Sequence, residues 1–309
     1  MERVFHYTSM EAFLALLSSV EKSSDKKSFV FWATNIFFLN DPQEYTYGQT
    51  VLMKILKDIE YEKGIEHNIR LSALFSIYPE KSYDEWLEFI REDICKKGES
   101  PYVVSFSRNE DSIPMWLNYG NDGKGICMAF AEYRNKHSGD NLEPKNLSDI
   151  IVDIYDELGT HDVEYANDSN INNPLRRNFN YMYDYYLKKI KTIPSELLLE
   201  LQLSMLRALT VIHAPYIKTN EFKGEREVRL SRTSNCNENG EPCDIKFKIN
   251  AKKHIIPYIE VEIPTKQLDY VKISPLANKD LTIKAIDMVR MKFGLKFEIQ
   301  ESTIRYRDY

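Results

Sequence analysis

The sequence predicts an α+β protein with a mixed β-structure and flanking helices. In some segments apolar residues recur with a helical period, and in others they form short β-branched and aromatic runs. These two kinds of segment are grouped along the chain rather than strictly alternating, which argues against a doubly wound sheet. No low-complexity linker or internal repeat divides the 309 residues. We therefore expect one enlarged domain, 1–309, with a surface insertion at about 132–180, where the chain is polar and weakly patterned.

The elements can be assigned in order from the N-terminus. Arg3 to Tyr7 predicts a strand, and Thr8-Ser9-Met10-Glu11 has the Ser/Thr-x-x-Glu form that satisfies free N–H groups at a helix start. Apolar residues from Phe13 to Val20 then follow at helical spacing, and Phe29 to Trp32 predicts a buried strand. Further helices are expected at Val51 to Ile59, Tyr83 to Ile94, Ser195 to Ile212 and Lys279 to Phe293, and further strands at Tyr102 to Ser107, Gly125 to Phe130, Arg226 to Ser231, Asp244 to Asn250, Tyr258 to Ile263 and Tyr270 to Ile273.

Composition narrows the class of protein. The chain has 43% hydrophobic and 28% charged residues, as in ordinary globular domains, and its net charge of −6 provides no general attraction for nucleic acids or anionic membranes. The four cysteines are too few and too scattered for a disulfide framework. The first residues lack the basic and apolar regions of a signal peptide, and the most apolar stretch, Phe29 to Leu39, is shorter than the ~20 residues of a spanning helix. We expect a cytoplasmic protein without a membrane partner.

The segment Phe5-His6-Tyr7-Thr8-Ser9 places a histidine and a tyrosine between a strand and a helix N-terminus, where anionic ligands are favoured. It resembles the first motif of the His-Tyr-Glu class of ADP-ribosyltransferases. The resemblance implies that His6 hydrogen-bonds a ribose hydroxyl of NAD, with Tyr7 and Thr8 beside it. The alternative is a capped helix that follows an exposed histidine.

A second segment, from Phe31-Trp32 to Tyr45, also resembles that class, in which two aromatic residues sandwich the nicotinamide ring. The resemblance implies Trp32, Tyr45 and Tyr47 as candidates. An aromatic face attracts the cationic ring of NAD, which gives the sandwich a physical purpose. The alternative is that these aromatic residues belong to the core.

Glu225 and Glu227 lie two residues apart at a predicted strand start, so both side chains are expected on one side of the strand. A carboxylate there would stabilise the oxocarbenium-like charge that develops when the nicotinamide–ribose bond breaks. The transferase resemblance requires a late glutamate, and we expect Glu227 in this role, with Glu225 supporting it or orienting the acceptor. The alternative is a solvated ladder of alternating charges that includes Arg229.

An ordered set of motifs resembles the bacterial family called domain of unknown function 2971. It comprises Asn40-Asp41-Pro42-x-Glu44, Phe106-Ser107, Met115-Trp116-x-x-Tyr119-Gly120, Gly123-Lys124-Gly125-Ile126-Cys127, Glu225-x-Glu227-x-Arg229 and Ile273-Ser274-Pro275. The resemblance implies that these segments meet around one site. It adds Asn40, Asp41, Glu44, Ser107, Trp116, Tyr119 and Arg229 to the expected NAD-binding residues. It also implies a setting in bacterial stress or phage defence.

The resulting hypothesis is an NAD-dependent ADP-ribosyltransferase or NAD glycohydrolase with a split β-structure, in which His6 and Glu227 lie on neighbouring strands. ADP-ribose would pass to a protein, a nucleic acid or water, no metal is expected, and another protein would neutralise or regulate a toxic activity. One alternative is a magnesium-dependent nuclease, with Asp41 or Asp111 and Glu225 or Glu227 around the metal. Another is a sensor that binds a nucleotide or a protein without turnover.

Overall fold

The computed structural model describes residues 2–41, 43–76, 82–96, 98–131, 160–166, 173–237, 241–250 and 252–305. The strands are β1 (Arg3–Thr8), β2 (Ser28–Asn35), β3 (Tyr102–Ser107), β4 (Ile126–Ala131), β5 (His161–Asp162), β6 (Glu164–Ala166), β7 (Ile217–Thr219), β8 (Glu227–Arg232), β9 (Lys246–Ile249), β10 (Ile255–Pro264), β11 (Leu268–Ile273) and β12 (Glu298–Glu301). The helices are α1 (Met10–Ser19), α2 (Glu44–Glu62), α3 (Tyr83–Lys96), α4 (Ile113–Tyr119), α5 (Asn173–Lys189), α6 (Leu198–His213) and α7 (Lys279–Lys292).

Among the described residues, the main sheet is mixed and has ten strands. Its path runs β12-β11-β4-β1-β3-β2-β10-β9, with β8 paired to β3 and β5 paired to β8. The pairs within it are antiparallel except for β11 and β12. A second, two-stranded sheet consists of the parallel strands β6 and β7. The predicted α+β class, with a mixed sheet and flanking helices, is confirmed.

The main sheet is split between β1 and β2. On one side of the split, β1 pairs with β4 along its whole length, from Arg3↔Ala131 to Thr8↔Ile126. On the other side, β2 pairs with β10 over seven register positions. β3 bridges the split: it contacts β1 through Phe5↔Ser107 and contacts β2 only through Thr34↔Val103 and Asn35↔Tyr102. The facing edges of β1 and β2 therefore diverge, which leaves room for side chains and a ligand between them.

Apolar residues pack into clusters on either side of the sheet. Helices α2, α3, α5 and α6 form a helical core around residues such as Leu56, Trp86 and Leu209. A second cluster lies under α1 and α7 and includes Phe13, Phe31 and the inward side chains of the central strands. The predicted strand and helix segments thus have the apolar faces that the sequence periodicity indicates.

The start of α1 differs slightly from the prediction. The N-cap is Ser9 rather than Thr8, because the Ser9 side chain accepts a hydrogen bond from the Ala12 backbone N–H at 3.2 Å. Thr8 instead remains in β1, paired with Ile126. The shift of one residue extends β1 to the edge of the helix.

The glycine-rich connection between α4 and β4 is a tight turn, as the sequence indicates. Gly123 has a φ of 77°, which suits glycine. A Cβ on Gly125 would lie only 2.2 Å from the Thr8 carbonyl oxygen. Glycine at 125 therefore lets the end of β1 lie directly against the start of β4.

Among the described residues, one helical stretch, Ser195–Tyr216, is long and apolar enough to cross a membrane by length and composition alone. Half of its most apolar window is buried inside the molecule, as in the core helix of a soluble protein. The cytoplasmic location stays a prediction. Of the expected insertion at 132–180, residues 132–159 and 167–172 lie outside the described residues. Within the remainder, β5 pairs with β8, β6 pairs with β7, and α5 packs in the helical core.

Candidate functional site

A cleft of about 950 Å³ opens at the split in the sheet. Its walls come from the strands β1, β2, β3, β7, β8, β9 and β10, from α1 and α4, from the first turn of α2, and from the 3₁₀ helix Asn220–Glu225. Most of the predicted site residues line it: His6, Tyr7, Thr8, Trp32, Asn40, Asp41, Glu44, Tyr119, Glu225, Glu227 and Arg229. Four of the six family-like motifs, which lie far apart in sequence, therefore contribute to one cavity, whereas those at residues 123–127 and 273–275 do not line it.

His6 lies in the split itself. Its ring packs edge-on against Phe31 of β2, with centroids 5.2 Å apart, and against Phe106 of β3 at 5.6 Å. Its Nδ1 lies 3.1 Å from the Ser105 carbonyl oxygen, which only accepts hydrogen bonds. Burial lowers the pKa of His6, and the bond to Ser105 opposes this effect only in part. His6 is therefore a neutral imidazole with its proton on Nδ1, and its Nε2 is an acceptor for a hydroxyl group.

Three glutamates and two cations form what we call the charge cluster, consisting of Glu44, Lys218, Glu225, Glu227 and Arg229. Lys218 is its centre: its Nζ lies 2.7 Å from Glu225, 3.1 Å from Glu227 and 3.5 Å from Glu44. Arg229 forms ion pairs with Glu227 and Glu44 and donates to the Pro215 carbonyl oxygen at 2.5 Å. The cluster joins α2, β7 and β8 at the base of the cleft, and its summed formal charge is negative.

The pair Glu227–Arg229 is deeply buried, with side-chain exposures of 7% and 1%. Burial alone would raise the pKa of Glu227, but the charges of Arg229 and Lys218 outweigh it and lower this pKa to about 2. Likewise, burial alone would lower the pKa of Lys218, but Glu227 and Glu44 raise it. The charged forms are thus mutually stabilised, and Glu227 is an ionised carboxylate at neutral pH.

The backbone at Arg226 determines how the two late glutamates are presented. Arg226 adopts a left-handed conformation, with a φ of 43°, between the 3₁₀ helix Asn220–Glu225 and β8. The predicted strand start at Arg226 is therefore one residue early, and Glu225 belongs to a turn. Both carboxylates nevertheless reach Lys218, as the expected strand would also have allowed, although Glu225 approaches it from the turn and Glu227 from the strand.

Glu225 is the more accessible of the two carboxylates, with a side-chain exposure of 16%. One oxygen accepts a hydrogen bond from the Tyr119 hydroxyl at 2.5 Å, and the other accepts one from Lys218 at 2.7 Å. Burial, followed by the bond to this carboxylate, raises the pKa of Tyr119, so the phenol keeps its proton. Glu225 is therefore held by two donors at the surface of the cleft.

Ser107 and Trp116 do not line the cleft, although both were expected around the ligand. Ser107 is fully buried and donates to the Glu225 carbonyl oxygen at 2.6 Å, so it fixes the turn that carries Glu225. Trp116 is also buried: its Nε1 donates to Asp111 at 2.7 Å, and its ring packs edge-on against Tyr7. These two residues support the wall of the cleft from behind.

The predicted aromatic sandwich is not assembled. Trp32 lines the cleft and is 51% exposed, but Tyr45 is 3% exposed and packs against Phe37 in the helical core. Tyr47 also packs in that core. The ring that accompanies Trp32 is Tyr258 of β10, at a centroid distance of 4.7 Å and an interplanar angle of 30°. Position 45 falls on the inward face of α2, which sequence spacing from Trp32 does not reveal.

The sequence did not point to the four lysines that line the cleft, of which Lys218 and Lys248 are central to its chemistry. Lys218 directly follows the apolar run Ala214 to Ile217 and precedes the polar residues Thr219 and Asn220, so the sequence reads as the end of a buried segment and does not signal that the lysine is buried. Lys248 alternates with exposed apolar residues on β9 and carries no such signal either.

No group of three or more histidine, cysteine, aspartate or glutamate side chains that could hold a metal ion is found in the part of the chain that the structure describes. Asp111, one of the candidate magnesium ligands, does not line the cleft; Trp116, Ser302 and Thr303 donate to it. The Lys218 ammonium lies where the carboxylates of Glu44, Glu225 and Glu227 meet.

Comparison with known proteins adds one finding. No curated protein and no solved structure matches the chain significantly. The segment 115–230 runs from α4 to β8 and contains Tyr119, Lys218, Glu225, Glu227 and Arg229, while His6 and Trp32 lie outside it. This segment, residues 115–230, matches the family described as protein of unknown function DUF2971, in support of the resemblance seen in the sequence.

Proposed function

We propose that the cleft binds NAD and cleaves the bond between nicotinamide and ribose, so that ADP-ribose passes to a macromolecule or to water. The observation that carries the proposal is the placement of His6 in the split, in the same cleft as Glu225 and Glu227. In this arrangement His6 can accept a hydrogen bond from a hydroxyl group, and the glutamates supply fixed negative charge. The two together suit a ribose that becomes cationic as its glycosidic bond breaks.

In the proposed reaction, His6 Nε2 accepts a hydrogen bond from a ribose hydroxyl and thereby fixes the sugar. The ribose C1′–N bond breaks, and its electron pair leaves with nicotinamide as a neutral molecule. The oxygen of water or of the acceptor then bonds to C1′ and loses its proton to solvent water. Negative charge near C1′ lowers the barrier because positive charge develops there in the transition state.

We assign the carboxylate that faces the ribose to Glu225 rather than Glu227. Both oxygens of Glu227 accept hydrogen bonds from Arg229, at 2.7 and 2.9 Å, and one also contacts Lys218. Glu225 is the more exposed and is held by Tyr119 and Lys218. In this assignment Glu227 is a positioning residue that fixes Lys218, and Lys218 in turn fixes Glu225.

The magnesium-dependent nuclease is the weaker alternative. A metal ion among Glu44, Glu225 and Glu227 would have to displace the Lys218 ammonium, which already neutralises these carboxylates. The sensor is the stronger alternative, because each carboxylate of the charge cluster already has a cationic partner. Such a network suits a rigid binding site as well as a catalytic one.

The test is release of nicotinamide from labelled NAD by the purified protein, with and without cell lysate, and label on macromolecules is followed in parallel. Release that is lost in Glu225→Gln and His6→Ala, and retained in Glu221→Gln, supports the proposal. Glu221 is a matched control, since it lies in the same 3₁₀ helix as Glu225 but does not line the cleft. NAD binding without release in any lysate would favour the sensor.

A further inference from the structure

Lys248 stands apart from the other cations of the cleft. Its Nζ lies 5.6 Å from the centre of the Trp32 ring and 5.7 Å from that of Tyr258, and it donates to the Thr34 hydroxyl at 3.3 Å. Within the described part of the chain it forms no ion pair with a carboxylate. Its neighbour Lys246 pairs with Glu260 at 2.7 Å, and Lys218 has three carboxylate partners.

A half-buried ammonium without a carboxylate partner is an unfavourable arrangement in a folded protein. Burial lowers the pKa of Lys248, and no neighbouring negative charge opposes this effect. The two aromatic faces and one hydroxyl compensate only in part, because a cation–π contact and a neutral acceptor stabilise an ammonium less than a carboxylate does. An anionic group of a ligand would complete the contacts of this side chain.

The same lysine determines which part of a dinucleotide can lie against Trp32. The cationic nicotinamide ring would lie near the Lys248 ammonium and be repelled by it. A phosphate would instead be attracted, with Lys248 Nζ and the Thr34 hydroxyl as donors. This wall of the cleft therefore favours the anionic part of the ligand, while the net negative charge cluster lies on the walls formed by α2, β7 and β8.

We propose that Lys248, Thr34 and the Trp32–Tyr258 pair form a phosphate-binding subsite that holds the diphosphate of the dinucleotide. This inference rests on the proposed function, because it takes the dinucleotide to be the ligand of the same cleft. It orients that ligand: the diphosphate lies on the wall formed by β2, β9 and β10, and the ribose bearing nicotinamide lies next to His6 and Glu225. Lys22 also lines the cleft, whereas the charge of Lys246 is compensated by Glu260, which lines the cleft as well.

Calorimetric titration of the purified protein with ADP-ribose, inorganic pyrophosphate and nicotinamide tests the subsite directly. Lys248→Met is expected to weaken binding of ADP-ribose and of pyrophosphate by roughly 10- to 100-fold, which is the range for a lost hydrogen bond to a charged group. Lys248→Arg keeps the charge and is expected to stay within a few-fold of wild type. Lys284→Met, an exposed lysine of α7 outside the cleft, is the matched control.

Three outcomes would overturn the subsite: wild-type protein that binds neither ADP-ribose nor pyrophosphate, a Lys248→Met variant that binds both as tightly as wild type, or binding that does not weaken as salt is added. Failure of the proposed reaction can be distinguished from failure of the subsite. If wild-type protein binds ADP-ribose through Lys248 but never releases nicotinamide from NAD, the subsite stands and the proposed reaction fails. If NAD turnover keeps its KM in Lys248→Met, the reaction stands and the subsite fails.

Discussion

Arg229 and Glu227 are joined by two parallel hydrogen bonds, from Nε to Oε1 at 2.7 Å and from Nη2 to Oε2 at 2.9 Å. This geometry is the bidentate pairing that a guanidinium and a carboxylate favour. Both side chains are almost completely excluded from water. Neither charge can be removed alone without leaving the other buried, so the pair constrains the base of the cleft.

Arg229→Met is therefore expected to destabilise the protein by about 3–5 kcal/mol, because it leaves Glu227 and Glu44 with Lys218 as their shared cation. Urea unfolding followed by tryptophan fluorescence measures the change. Lys96→Met is the control, since Lys96 pairs with Glu92 at 3.4 Å on the exposed surface of α3, where a pair contributes about 0–1 kcal/mol. Equal losses in the two variants would contradict the account of the charge cluster.

The free energy of unfolding should fall in acid as Glu227 becomes protonated. Its pKa is lowered from 4.5 to about 2 in the folded protein, so its contribution is complete above pH 4.5 and is lost as the pH falls towards 2. The difference between these pKa values corresponds to about 3 kcal/mol of folding free energy. Urea midpoints at a series of pH values test this. The stability gap between wild type and Glu227→Gln should narrow as the pH falls from 4.5; a constant gap would be inconsistent with the low pKa.

The sequence was sufficient for elements whose side chains follow a local period. The apolar spacing from Phe13 to Val20 and the aromatic run at Phe31 predict α1 and β2 correctly, although β2 continues three residues beyond the expected Trp32. The order of the motifs also indicated that His6 and Glu225 lie in one cleft.

The sequence could not show which side chains from distant segments of the chain become neighbours in the fold. Tyr45 was expected beside Trp32, but the tertiary packing of α2 turns it into the helical core. The rotation of a helix about its axis depends on the neighbours that cover it, and local spacing does not contain them. Tyr258, the true neighbour of Trp32, comes from a strand more than 200 residues away in the chain.

Gly125→Ala is expected to destabilise the protein by about 1–3 kcal/mol, because its Cβ would meet the Thr8 carbonyl oxygen at 2.2 Å and both groups are backbone-fixed. Gly224→Ala is the matched control, as no atom lies within 4 Å of its added Cβ. Thermal unfolding of both variants gives the comparison. A neutral Gly125→Ala would mean that β1 and β4 separate easily at this end.

The left-handed backbone at Arg226, next to Glu225, predicts how substitutions at position 226 change the stability of the protein. Arg226→Val should destabilise the protein by about 1–2 kcal/mol, because a β-branched residue is strained at a φ of 43°, whereas Arg226→Gly should be close to neutral. Unfolding in urea gives both values. Both variants lack the arginine charge. A similar decrease in the free energy of unfolding in the two variants would therefore assign the effect to the charge rather than to the backbone conformation.

Tyr119 and Glu225 should act on turnover as one unit. The Tyr119 hydroxyl donates to Glu225 at 2.5 Å, so Tyr119→Phe leaves this carboxylate held by Lys218 alone and free to turn away from the ribose. We expect nicotinamide release to fall roughly 10-fold in kcat with KM nearly unchanged, which corresponds to the loss of one hydrogen bond to a charged group. Adding Tyr119→Phe to Glu225→Gln should then lower kcat little further, since coupled residues are not additive. Independent, multiplicative losses in the double variant would show that Tyr119 acts through some group other than Glu225.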